Sequence, residues 1–449
     1  CFFNRIIGIC VSLILSYLGY GIITYRNDNY LKIMFDGKYT FIDYSSVIII
    51  AFLLYLILSF KIDNVFYENV KNVFKDLQNF VSDALLQLYD KRILIGSIIL
   101  FLAIYGYQIS NFTLSLDEEF QMSQAKNIVQ WCYEGRFSIG ILKNFFMAFG
   151  MYEPYLSNLI ASLIMLLNAL LFCCLLDNIK YKNKAHYFSK LVFIAFYMSF
   201  PSIVVEFMSF STYCIEVAFG MTILLCSVWL FHRYLENKEK SFIIFNIFLV
   251  FFALGIYQAM ATVYITLISI YFFVKIYEKK RIEKKEFIRI AKDIFLSFSG
   301  FLISVIVFFI VYKIATSMHY VQGSIDYIND FSGWNFKQGI ITSLKNSIAT
   351  LFETVFHTDI IGLVYFRWYI LAFIVDALLV LFFNRSKSIL EKILLIILLS
   401  EILLSGFYMW IVLASTALPL RAWLAVLFVA GFMYYLLAEI LIDKFPKTF

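Results

Sequence analysis

The chain has 449 residues, 62% of them hydrophobic and only 15% charged, with a mean hydropathy of +0.82 and a formal charge of +6. No soluble domain needs that much apolar surface, and the basic excess sits in short loops between apolar runs, which argues against nucleic acid as a partner. The composition is that of an all-α polytopic membrane protein.

Apolar runs long enough to cross a bilayer, roughly 17 to 25 residues each, predict about twelve spans. In chain order they are 6–24, 44–61, 93–110, 155–176, 188–206, 211–231, 242–255, 259–276, 294–315, 364–383, 389–412 and 420–441. The first has no A-x-A-type cleavage site after it and reads as a retained span. If every span crosses, the basic loops fall on one side. These carry Lys61 to Arg92, Lys180 to Lys184, Arg233 to Lys240, the dense cluster Lys275 to Lys292, Arg385 to Lys392, and Lys444 with Lys447. The positive-inside rule makes that side cytoplasmic, with both termini there. The loop around Asp117 then faces outward, as do the 256–258 break, the 316–363 loop and the 413–419 turn. The 25–43 loop, with Arg26, Lys32 and Lys38, is a mild exception.

Between the second and third spans, Phe66, Val70, Phe74, Leu77, Phe80, Val81, Leu85 and Leu88 recur at helical spacing and predict an amphipathic cytoplasmic helix over Asp63–Asp90. The basic 278–292 stretch reads as a second interfacial segment, aided by anionic lipid. The seventh and eighth spans are short and meet at Gly255-Ile256-Tyr257-Gln258. So tight a junction is either a plain turn or a break whose backbone groups face a wet cavity. In the 316–363 loop, Ile340, Ile341, Leu344, Ile348, Leu351, Phe352 and Val355 form one face of a helix beginning near Asn335, expected to rest at the outer interface.

The most polar interruption is Asn111–Ser138, NFTLSLDEEFQMSQAKNIVQWCYEGRFS. Ser115 with Glu118 fits a capping box, so a helix is expected to run to about Glu134 and to end on a left-handed Gly135. Acids in a first helical turn are stabilised by the helix dipole, which accounts for one or two of Asp117, Glu118 and Glu119. The same dipole keeps them ionised, the state a general base or metal ligand requires. Arg136 either pairs with these acids or Glu134, or holds a phosphate by a forked hydrogen bond. Arg367 and Arg421 stand at outer span ends close before Trp368 and Trp423, as interfacial anchors or phosphate ligands. Charges inside spans are costly, which singles out Glu206, Glu216, Asp376 and Glu401; the last two are either a proton path or packing polars.

Seven cysteines lack CxxC or zinc spacing and read as small core residues. His319 and His357 lack metal-ligand spacing, and no P-loop, GxGxxG, HExxH or GxSxG motif is present. Neither a cofactor nor a metal is expected.

Several of these motifs together resemble the bacterial glucosyltransferase family of phage serotype-conversion clusters. They are Leu116-Asp117-Glu118-Glu119, then Trp131-x-x-x-Gly135-Arg136-Phe137, Pro201, Ser211-Thr212-Tyr213-x-x-Glu216, Gly255-Ile256-Tyr257-Gln258 and Pro419-x-Arg421. The resemblance covers about residues 90–441, so residues 1–90 look like a two-span extension with an amphipathic linker, and 91–449 like the transferase domain. It implies a GT-C-like membrane bundle in a bacterial inner membrane, with amphipathic helices and an active site on the outer face. The donor would be a sugar, typically glucose, on polyprenyl phosphate, and the acceptor a polysaccharide or lipid-linked glycan. Asp117, Glu118 or Glu119 would be the base. Arg136, Arg421, Tyr257 and Gln258 would contact donor phosphate or sugar, and Trp131, Tyr213, Glu216 and Arg367 are further candidates for binding substrate. The competing readings are a polysaccharide polymerase or ligase, and a transporter or flippase carried by Asp376 and Glu401.

Overall fold

The computed structural model describes residues 64–110, 135–148, 154–180, 185–199, 213–279, 281–318, 339–357, 364–383, 387–415 and 418–445. Within them the secondary structure is entirely helical. The helices are α1 (Asn64–Leu86), α2 (Lys91–Ser110), α3 (Phe137–Ala148), α4 (Pro154–Ile179), α5 (Tyr187–Met198), α6 (Cys214–Asn237) and α7 (Lys240–Leu254). They continue as α8 (Met260–Tyr277), α9 (Lys284–Met318), α10 (Ile340–His357), α11 (Val364–Phe383), α12 (Ile389–Ser405), α13 (Tyr408–Leu413) and α14 (Ala425–Lys444). Five are long and apolar enough to cross a membrane: α4, α6, α8, α9 and α14. This is a multi-pass membrane protein, and the spans expected over residues 1–63 lie outside the described residues.

α6 is the central helix and α9 a peripheral one: 89% of the apolar window of α6 is buried against 28% for α9. Between apolar helices the hydrophobic effect gives little preference for protein over lipid, so close packing and polar knots fix the partners. Asn168 of α4 donates to the Ala218 carbonyl at 2.9 Å and accepts from Thr222 at 2.7 Å. Asn246 of α7 donates to the carbonyl and hydroxyl of Ser227 in α6. Thr266 of α8 meets Ser405 of α12, hydroxyl to hydroxyl, at 2.6 Å.

One face of the bundle is charged. Lys180, just past α4, bridges Glu439 of α14 and Glu278 beyond α8. Lys190 of α5 pairs with Asp177, and Lys387 donates to the Ile276 and Lys279 carbonyls at the end of α8. Arg233 of α6 reaches Asp76 of α1 at 2.9 Å. The C-terminal ends of α4, α6, α8 and α14 and the N-terminal ends of α5 and α12 therefore lie together, and these are the basic loops that the sequence groups on one side. At the opposite face the α6 N-terminus meets that of α4 through the Cys214 thiol, 3.7 Å from the Ser157 carbonyl, and α7 turns into α8.

Two expected helices are placed more closely and two expectations are revised. In α1 the buried line is Val73, Phe80 and Ala84, while Phe74 and Leu85 are exposed. Phe80 stacks on Trp229 of α6 at 4.6 Å, so the helix docks on the bundle with a rotated register. The basic stretch before the ninth span is no separate interfacial helix: from Lys284 it is the start of α9, whose 35 residues extend about 50 Å, well beyond a bilayer core. The span expected over 389–412 breaks at Gly406-Phe407 into α12 and the short α13. In α10 the protein-facing line includes Ser343, Ser347 and Val355, with the Ser347 hydroxyl donating to the Trp410 carbonyl at 2.9 Å, while Ile340, Ile341, Ile348 and Phe352 are exposed.

Candidate active site

Gly135 carries a φ of +76°, the left-handed conformation expected of it, while the helix expected before it lies outside the described residues. Its bare Cα lets the backbone press on the next loop: a Cβ there would lie 2.9 Å from the Gln258 amide nitrogen and 3.1 Å from the Tyr312 ring. The Ser138 amide donates to the Gly255 carbonyl at 2.9 Å, and a Cβ on Gly255 would overlap the Ser138 hydroxyl and the Phe137 ring. Phe137 packs against Phe251 of α7 and Phe308 of α9. These contacts seat the start of α3 on the α7–α8 turn. Since α3 ends shortly before α4 begins at the same face, it lies against the bundle without crossing it.

The seat holds Arg136, 6% exposed, with its guanidinium carbon 5.0 Å from the centre of the Tyr257 ring. Cation and ring face attract where water is excluded. Arg136 lines one end of a cavity of about 360 Å³, together with Tyr257, Gln258 and Tyr312. The rest of the lining is apolar apart from Thr262 and Tyr408 and extends along α9 to Phe301, with Ile265 of α8 and Val412 of α13 also lining it. Val412 and Phe309 are more than half exposed, so the groove wall includes lipid-facing residues. A cation at one end of an apolar groove suits an amphiphile with an anionic head and a hydrocarbon tail.

The other sequence candidates divide by position. Arg421 occupies the 3-10 turn between Pro419 and Ala422, both of which line the groove. The neighbouring Trp423 is no interfacial anchor: it is 1% exposed and lies edge-on to Trp410 and Phe407. Arg367 is exposed and donates to the Phe356 carbonyl at 2.5 Å, tying α11 to the end of α10. Tyr213 is the residue before α6 and is buried. Glu216, 0% exposed, has the ammonium of Lys143 at 3.6 Å. Asp376 is buried in α11 beside Tyr434 with no hydrogen-bond partner among the described residues, and Glu401 accepts from the Tyr408 hydroxyl. Asp117, Glu118, Glu119, Trp131, Glu206 and His319 lie outside the described residues.

Sequence reasoning passed over Lys143, Tyr312 and Tyr408. Lys143 had a signal: it is a cation in an apolar helix, seven residues, or two turns, after Arg136. Two further cavities compete less well. One of about 870 Å³ is lined by α10 alone. Another, about 680 Å³ at the charged face, is lined by Asp90, Arg92, Asp177 and Lys190, which pair with one another.

No curated protein and no solved structure matches the chain. The model of the family described as Glucosyl transferase GtrII matches residues 106–437. That stretch takes in Arg136, the α7–α8 turn, the wall of α9 and the Pro419–Ala422 turn, and on this match the chain belongs to the GtrII glucosyltransferase family, a family of transferases.

Proposed function

We propose that this chain transfers a glucosyl unit from a polyprenyl-phosphate donor to a polysaccharide or lipid-linked glycan, at the membrane face opposite the charged loops. The observation that carries the reading is the buried Arg136 at the head of an apolar groove flanked by lipid-facing residues. A donor carried on lipid arrives through the bilayer, places its phosphate at the interface and needs no nucleotide pocket. In the transfer an acceptor hydroxyl gives its proton to a carboxylate, the oxygen bonds to the anomeric carbon, and the sugar–phosphate bond breaks with its electrons staying on phosphate. One displacement inverts that centre. The phosphate gains charge as it leaves, so a fixed guanidinium stabilises the transition state more than the ground state.

Asp117, Glu118 or Glu119 serves as the base in this reading, and Arg136, Tyr257, Gln258 and Arg421 hold the donor head. Trp131, Tyr213, Glu216 and Arg367 complete the candidate set. The fold is a GT-C-like bundle of about twelve spans, with residues 1–90 an N-terminal extension and 91–449 the transferase domain. It sits in a bacterial cytoplasmic membrane with both termini inside.

The test supplies the purified full chain with undecaprenyl phosphate glucose, with UDP-glucose, or with a lipid-diphosphate-linked glycan, and with a cell-surface polysaccharide fraction as acceptor. Transfer from the first donor alone supports the reading. Use of the diphosphate-linked glycan points to a polymerase or ligase. If Asp376→Asn and Glu401→Gln abolish function while Asp117→Asn, Glu118→Gln and Glu119→Gln leave it intact, the protein is a transporter or flippase.

A further inference from the structure

The dimensions of the groove bear on which part of a lipid donor the protein reads. Its polar end is marked by Tyr312 and its deep end by Phe301, both on α9. Eleven helical residues separate them, roughly 16 Å at 1.5 Å per residue. An isoprene unit adds four carbons to the main chain of the tail, which advance about 4–5 Å given carbon–carbon bonds of about 1.5 Å. At about 5 Å per extended unit, that run holds three whole units.

The walls show where a tail can leave. Near Arg136 the groove is enclosed by the α7–α8 turn and the Pro419–Ala422 turn. At the far end from Arg136 the lining includes Phe301 and Leu302, and Leu302 is 42% exposed, as is Phe309 (56%) nearer the head. A tail longer than the groove therefore leaves past α9 into lipid. Carbons beyond that point exchange one hydrocarbon environment for another and add no affinity.

We propose that the groove binds about the first three isoprene units of a prenyl phosphate, counted from the phosphate, and leaves the rest of the tail in the bilayer. This rests on the lipid-donor reading above and adds to it a length limit. The protein then distinguishes prenyl phosphates from one another only within the head-proximal units, where saturation, double-bond geometry and methyl branches meet the aromatic wall of Phe301, Phe308 and Phe309.

The experiment measures the affinity of the full chain for prenyl monophosphates of one, two, three and four isoprene units and for undecaprenyl phosphate, in a single detergent. Affinity is expected to rise about severalfold with each unit up to three, from contact with the fitted aromatic wall that detergent does not offer, and then to stay within about twofold. Ile265→Trp narrows the groove and is expected to move the plateau to about two units. Leu302→Trp, at a lipid-exposed position, does the same job where the first variant fails to assemble. Partition of the ligands into detergent is the same for every variant and does not move the plateau. A continued rise from four units to undecaprenyl phosphate, or a plateau that neither variant shifts, overturns the length limit while leaving the donor reading intact. Failure of every prenyl phosphate to bind overturns the donor reading itself.

Discussion

At the charged face, acids and bases meet one another; at the groove face, the polar residues surround a space. Lys180, Lys190 and Arg233 each bridge two helices there, and the Lys387 ammonium is given to backbone carbonyls at the end of α8. The chemistry of that face is consumed in holding helix ends together. Among the described residues the groove face has one ion pair, Lys143–Glu216, neither residue of which lines the cavity; the groove itself is headed by Arg136, Tyr257, Gln258 and Tyr312. Charge that costs free energy to place near a membrane is used at one face for assembly and, in the proposed reading, at the other to meet a ligand.

If that division is right, substitutions at the groove face reduce transfer without reducing assembly. Arg136→Gln carries the largest expected effect, a fall in transfer of about 10²–10³-fold, with Arg136→Lys recovering part of it; elution as a folded particle is unchanged. Equal loss of assembly in Arg136→Gln would move Arg136 to the structural side. Next is Gly255→Ala, which pushes Phe137 and Ser138 off the α7–α8 turn and misplaces Arg136. Transfer drops by about tenfold to a hundredfold, with a smaller loss of thermal stability.

Lys143→Met strands the Glu216 carboxylate in a dry site and costs about 3–5 kcal/mol of stability, while the double change Lys143→Met/Glu216→Leu returns most of it. A thermal melt of the single and double variants in one detergent reads this cycle; additive losses would mean that the two charges do not act on each other. The smallest effect belongs to the charged face. Hydrogen bonds from Arg92 hold the Asp90 carboxyl down at about 2, so its stabilising contribution is present above the ordinary carboxylate range and is lost as pH falls through about 2. At neutral pH Asp90→Asn is expected to shift the melting temperature by no more than about 2 °C, since the pair is open to solvent.

The contrast between faces was legible in the sequence where it depended on charge and poorly legible where it depended on hydrophobicity. The grouping of basic loops follows from counting residues between apolar runs, and the Gly255 break follows from two short runs meeting at a glycine. Arg136 stood out as a cation beside a helix-ending glycine. Periodicity located α1 and α10 but did not say which of their apolar residues would meet protein. Apolar periodicity marks the side that avoids water, and beside a membrane that side turns to lipid as readily as to protein. Phe74, Leu85, Ile341 and Phe352 are therefore exposed from the bundle, and α10 instead turns Ser343 and Ser347 toward it. The groove was hidden because its lining comes from separate segments: Phe301, Val305, Phe308 and Tyr312 repeat at helical spacing as any apolar helix does, and only the tertiary fold brings Tyr408 and Pro419 opposite them.

The most direct test of the account is photo-crosslinking with a prenyl phosphate that carries a diazirine on its second isoprene unit, followed by peptide mapping. The account predicts labelling between Phe301 and Tyr312 of α9 and between Tyr408 and Val412 of α13, suppressed by unlabelled undecaprenyl phosphate and by Arg136→Gln. Labelling concentrated at the charged-face cavity around Arg92 and Lys190, or labelling of α9 that undecaprenyl phosphate does not suppress, would contradict it.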